Sequence, residues 1–237
     1  MPDRMAVLAA LSAVVLAAAG CGPAESLPIG YFLRGDVRAM DLGRVVFVGL
    51  DAPLLDRPVA AETTEALYRA IQATSLFHVD VVPPDHPALA GVDVNRPGGL
   101  TLRDLSALRK ALGCNALLVG SMTQFRAYPR MHMGLYLRLL DLRRGRLLWG
   151  VDHVWEATEQ ATAGRIRHFY RDVMHEGADT VESDLASFSP RAFQKFIAWE
   201  VARSLTTPNR PPPARAARPP SSPTTRPTPS PKSIRKL

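Results

Sequence analysis

The constraint that leaves this chain least freedom is a run of strict alternation past its middle. In "MGLYLRLLDLRRGRLLWGVDHVWEA", Met133 to Ala157, Leu135, Leu137 and Leu139 alternate with Tyr136 and Arg138. Beyond the connector Arg143-Arg144-Gly145 the alternation resumes with Leu147, Trp149, Val151, His153 and Trp155. Successive side chains of a strand point to opposite faces, so each apolar set must share one buried face. Gly145 supplies the residue able to take positive φ that a short hairpin loop requires. The stretch predicts an antiparallel hairpin, and the remaining elements must cover its apolar side.

Upstream, helical and extended patterns take turns. "GRVVFVGL", Gly43 to Leu50, is a short β-branched and aromatic run that reads as a buried strand. "AETTEALYRAIQATSLF" places Leu67, Ala70, Ile71 and Thr74 on one helical face, and "HVDVV", His78 to Val82, is a strand stopped by Pro83-Pro84. In "TLRDLSALRKALG", Thr101 is the expected N-cap with Asp104 at the third helical position. Leu105, Leu108 and Leu112 form its stripe, and Gly113 ends it. "NALLVGSMTQF" is the strand that leads to the hairpin. After the hairpin, Ile166, Phe169, Tyr170 and Val173 share a helical face; a last helix starts at Ser189 and Pro190 and buries Phe193, Ile197, Val201 and Leu205. The expected class is α/β, a mixed sheet of about five strands with helices packed on it, in the order β-α-β-α-β-β-β-α-α.

The two ends differ from this body. The apolar run from Met5 to Gly20 falls short of the roughly 20 residues that span a bilayer and reads as an export signal, residues 1–20, with Arg4 in its positive flank. Ala17 and Ala19 fit ordinary signal-peptidase cleavage before Gly20. Ala18-Ala19-Gly20-Cys21 also resembles the bacterial lipobox, with Ala18 where that motif usually carries Leu. On the second reading Cys21 becomes the acylated, palmitate-bearing amino terminus of a lipoprotein, residues 21–42 are its linker, and the membrane is a partner. At the other end, Pro208 to Leu237 holds ten prolines, seven Lys or Arg and no acid; without it the chain has 22 bases and 22 acids. This composition predicts a disordered tail, residues 208–237, behind a formally neutral stretch, residues 1–207, whose domain is residues 43–207. A basic stretch without interleaved aromatics, outside the folded body, argues against nucleic acid as the partner and suits either a tether touching an acidic polymer or the cell wall, or a solvated tail with no partner.

Few residues offer chemistry. His168, Asp172 and His175 follow at i, i+4 and i+7 on one helix face and are the candidate metal ligands of a metal-assisted hydrolase, although a single helix supplies only part of a coordination shell. Asp152 and His153 are strand neighbours and point apart. Ser121 follows Gly120 but lacks the second glycine of a nucleophile elbow, and "NRPGG" lacks the Gly-Lys ending of a phosphate loop. Cys114, in "LGCNALLVG", reads as a free buried thiol, because Cys21 is the only other cysteine. Trp149, Trp155 and Trp199 read as core or interface anchors. No cofactor and no catalytic residue is expected.

The segment "LRKALGCNALLVGSMTQF" followed by "LYLRLLDLRRGRLLW" resembles a pattern in bacterial envelope lipoproteins: a helix ending in Gly, a strand holding "LLVGS", then a hairpin. That pattern is similar to the fold shared by the amino-terminal domain of TolB, the curli secretion lipoprotein CsgG and the penicillin-binding-protein activator LpoB, over about Gly43 to Trp155 and one later helix. The resemblance implies a non-catalytic, anchored accessory or binding module in envelope assembly or secretion, periplasm-facing and on the outer rather than the inner membrane, with an envelope protein or the cell wall as partner. A CsgG-like channel would need extra pairs of long amphipathic strands facing lipid, and the sequence shows no spare segments of that kind, which argues against pore formation. A purely structural cell-wall tether is the other non-catalytic reading.

Overall fold

Arg44–Val48 (β2) is buried at every position after the first, as expected of a strand with helices on both faces. It pairs in parallel with His78–Val82 (β3) on one side and Ala116–Arg126 (β4) on the other. The computed structural model of the chain describes residues 27–35, 42–95, 100–174 and 189–208. Beyond β4 the sheet continues antiparallel through His132–Asp141 (β5) and Arg146–Glu156 (β6) to Tyr31–Leu33 (β1), giving the order β1-β6-β5-β4-β2-β3. The mixed α/β sheet therefore has six strands. β1 lies in the stretch read as linker; three residues are too few for alternation to show, and the strand forms against the outer edge of β6.

Two cores flank the sheet. Arg57–Ala73 (α1) and Pro190–Ser204 (α4) cover one face, burying Leu67, Ile71, Phe193, Ile197 and Val201 against Val45, Phe47, Leu135, Leu137, Trp149 and Val151. Leu102–Leu112 (α2) covers the other face over β2 and β4, where Leu105, Leu108 and Leu112 meet Val46, Val48, Leu117 and Val119. Local chemistry sets the helix ends. Thr101 Oγ accepts from Asp104 N while the Asp104 carboxylate accepts from Thr101 N at 3.0 Å, a reciprocal capping box. Gly113 ends α2 at φ +59, a conformation that a side chain at this position would resist. Ser189 Oγ caps α4, and Pro190 opens it. α1 begins four residues before the apolar stripe suggested, at Arg57, because Pro58 suits a first turn.

The hairpin departs from strict alternation at one point. Trp149 stands opposite Leu139, yet Leu147 stands opposite Leu140, so Leu148 is an extra residue on β6. This bulge buries Leu148 completely beside Trp149 and leaves Leu147 38% exposed on the other face, not in the core expected for it. A second departure closes the third helix. Gln160–His168 (α3) runs on into a π-helical turn, Phe169–Val173, with Met174 N donating to Phe169 O. The wider turn breaks the 3.6-residue spacing: Ile166 and Phe169 are buried, Tyr170 half-buried, and Val173 is exposed.

Candidate functional site

The buried polar groups of the domain hold its layers together. Trp155 Nε1 donates to Glu200 Oε2 at 2.7 Å, and Arg165 Nε donates to Glu200 Oε1 at 2.7 Å. Arg165 Nη2 reaches Thr162 Oγ, whose hydroxyl donates to Glu159 Oε2 at 2.8 Å. Glu200 is 1% exposed, so its charge stands out of water and is matched on both oxygens. One strand (β6) and two helices (α3 and α4) meet on that carboxylate. Nearby, Trp149 Nε1 donates to Ser204 Oγ at 2.9 Å, a second tie between β6 and α4. Trp199 is part-buried against Phe169, with the Arg203 guanidinium 4.8 Å from its ring centre.

The residues singled out for chemistry occupy separate places. His168 Nδ1 is paired with Asp172, whose two oxygens also accept from the Nε and Nη2 of Arg171. The Arg171 hydrogen bond, followed by that of His168, holds the Asp172 carboxyl below its ordinary range. His175 lies outside the described residues, and among those described no group of three or more His, Cys, Asp or Glu stands together as a metal ion requires. Asp152 is exposed on β6, while His153 turns inward and accepts from Gly30 N at 3.4 Å, its ring edge-on to Trp155. Burial holds the His153 imidazole below its ordinary pKa, against the opposing pull of Glu200. Cys114 is free and buried, and burial raises its thiol pKa. Ser121 pairs with Tyr136 within the sheet. Cys21, the run read as an export signal and residues 209–237 lie outside the described residues.

Among the described residues, two surfaces stand out for recognition. On the sheet face opposite α4, α2 and the segment carrying Leu89 and Val94 pack over β2 and β4, and Arg138 of β5 donates to Val94 O at 2.9 Å. Among the described residues this face leaves Phe32 of β1 and Leu147 and Val154 of β6 exposed. The second is a concavity of about 560 Å³ outside the carboxyl ends of β2 and β3, within the usual range for small-ligand pockets. Gly49 to Ala52 form one wall, Val81 to Asp85 the other, and Arg57, Ala61, Thr64 and Glu65 of α1 the third. Leu50 N donates to Thr64 Oγ at 3.0 Å, which fixes the first wall against α1. Asp51 N donates to Gly120 O at 3.1 Å, and Asp51 O accepts from Met122 N at 2.8 Å, so this wall is also stitched to β4. Sequence reasoning passed over Asp51, Arg57 and Asp85; the signal present was the pair of proline-bearing loops, Asp51-Ala52-Pro53 and Pro83-Pro84-Asp85, each directly after a parallel strand.

No family model and no curated protein matches the chain. Solved structures do. The hypothetical protein CT253 from Chlamydia trachomatis is 15% identical over 69% of this chain and 98% of its own, at a TM-score of 0.42. The carboxy-terminal domain of LpoB from Salmonella enterica is 17% identical over 49% and 84%, at 0.33. The PelC dodecamer from Paraburkholderia phytofirmans is 14% identical over 56% and 78%, at 0.34. LpoB, named from the sequence pattern, is thus among the structures this chain resembles. Identities this low and superpositions this partial concern the fold alone.

Proposed function

We propose that the chain is a non-catalytic accessory of the bacterial cell envelope, a lipoprotein anchored through acylated Cys21, with residues 43–207 as a periplasm-facing binding domain on the outer membrane. The observation that carries this reading is the order of parts at the amino terminus: an apolar run too short to span a bilayer, then Ala18-Ala19-Gly20 and Cys21. Each buried CH2 of an acyl chain contributes about 0.8 kcal/mol, and two or more chains make a lasting anchor. The domain supports the reading in a second way: its most buried ionisable cluster, Arg165 and Glu200 with Trp155, is spent on joining helices to the sheet. Mass spectrometry of the mature amino terminus tests the anchor and is expected to find a diacylated or triacylated Cys21. Cys21→Ser is then expected to move the protein from the membrane to the soluble fraction. Unchanged fractionation of Cys21→Ser refutes the reading.

One observation favours an added role as a wall tether, namely the confinement of seven uncompensated bases to residues 208–237. Deletion of those residues is expected to abolish co-sedimentation with peptidoglycan, and undiminished co-sedimentation removes that role.

A further inference from the structure

Topology makes the concavity beside β2 and β3. The two strands are parallel neighbours, but the chain leaves β2 toward α1 on one face and leaves β3 toward α2 on the opposite face. Adjacent parallel strands whose connections part in this way leave a crevice outside their carboxyl ends, and in open α/β sheets that is where ligands bind. The crevice here is lined by apolar surface from Leu50, Ala52 and Pro84. Its charges are of both signs. Asp51 stands on the β2 wall, Asp85 on the β3 wall, and Arg57 at the start of α1, all exposed. The fourth charged residue, Glu65, is occupied by Arg69 at 2.7 Å. None of the other three has an ion-pair partner among the described residues, although they border one cavity. Their backbones explain why they stand apart: Asp51 is stitched into β4, Asp85 follows two prolines with fixed φ, and Arg57 is held by the first turn of α1. Arg57 stands at the start of α1, next to its N-cap Asp56, which makes no side-chain capping hydrogen bond.

From these observations we infer that the crevice between β2 and β3 is a binding site for a small zwitterionic ligand of the short-peptide class, its ammonium on Asp51 and Asp85 and its carboxylate on Arg57. The apolar wall takes the small side chains between the two charged ends. Neither charge type alone satisfies the site: an anion leaves two carboxylates unmatched, and a cation leaves the guanidinium unmatched. The inference does not depend on how Cys21 is processed.

The test uses the full chain and three probes: L-alanyl-L-alanine, its N-acetyl form and its C-terminal amide, each titrated by calorimetry and by amide chemical-shift changes. The free dipeptide is expected to bind saturably and to shift the amides of residues 49–52 and 81–85. Each blocked form is expected to bind about tenfold more weakly, the loss of one charge-assisted contact. The double variant Asp51→Asn, Asp85→Asn is expected to lose the preference for the free over the acetylated amine. Arg57→Gln is expected to lose the preference for the free acid over the amide. Absence of saturable binding overturns the inference, as do equal affinities for all three probes or preferences that survive both sets of substitutions. Unchanged near-ultraviolet circular dichroism confirms that the variants are folded.

Discussion

The carboxylate of Glu200 gives the sharpest test of what holds the layers together. Arg165→Leu removes one of its two partners but leaves the charge in place, 1% exposed, with only Trp155 Nε1 as donor. Breaking a buried pair from one side costs about 3–5 kcal/mol, because the remaining charge is stranded. Arg165 itself is one-fifth exposed, so water can follow the deletion toward Glu200 and the cost falls to the lower end, about 3 kcal/mol. Glu200→Gln is milder: its amide oxygen can still accept from Trp155, and Arg165 can turn to solvent, for a loss of about 1.5 kcal/mol. Replacing both partners with leucine removes the stranded charge together with its partner. That double variant is expected to lose less than the Arg165→Leu single variant. Urea unfolding at neutral pH, followed by tryptophan fluorescence, measures all three together with the Glu200→Leu single variant. In a domain of this size each 1 kcal/mol moves the thermal midpoint by about 2–4 °C. Equal losses for Arg165→Leu and Glu200→Gln, or a double variant as unstable as the sum of single leucine substitutions, would refute the account of a buried carboxylate matched from both sides.

Other consequences are simpler to measure. Thr101→Ala breaks the capping box of α2 and is expected to lower unfolding free energy by about 1 kcal/mol in the same urea assay. Cys114, buried and with its thiol pKa raised by that burial, is expected to resist iodoacetamide at pH 8 in a Cys21→Ser background and to react fully once urea unfolds the domain. His153 is half-buried with its pKa lowered first by desolvation, so the unfolded chain takes up its proton at a higher pH than the folded one. Stability is therefore complete above about 6.5 and declines as pH falls through that value toward the lower folded pKa; His153→Phe is expected to flatten this slope in urea titrations. Tyr170 donates to Ala192 O at 2.7 Å, and burial pushes its phenol up to about 12. The unfolded chain ionises there near pH 10, so stability drops between these values, and Tyr170→Phe is expected to remove that part of the alkaline loss.

Elements whose signals lie within one turn or one pleat are legible in the amino-acid sequence alone. Thr101 with Asp104, Ser189 with Pro190, the stripe of Leu105, Leu108 and Leu112, and the alternation through Leu135, Leu137 and Leu139 depend on spacings of two to four residues. The α/β class and the mixed sheet follow from those patterns in order. Register and long-range pairing decide the rest. β1 exists because β6 has an open edge to pair with, and Leu148 is buried because the bulge shifts it there, neither of which a three-residue run or an unbroken alternation can announce. Glu200 meets Trp155 across 45 residues and Arg165 across 35, so its role as a matched buried charge is invisible to any local window. Asp51, Arg57 and Asp85 form a candidate site for the same reason. Two parallel strands send their connections to opposite faces, and only that crossing in three dimensions sets the three charges around one cavity. Backbone preference and hydrophobic spacing act between near neighbours, whereas a binding site depends on where the sheet brings distant loops.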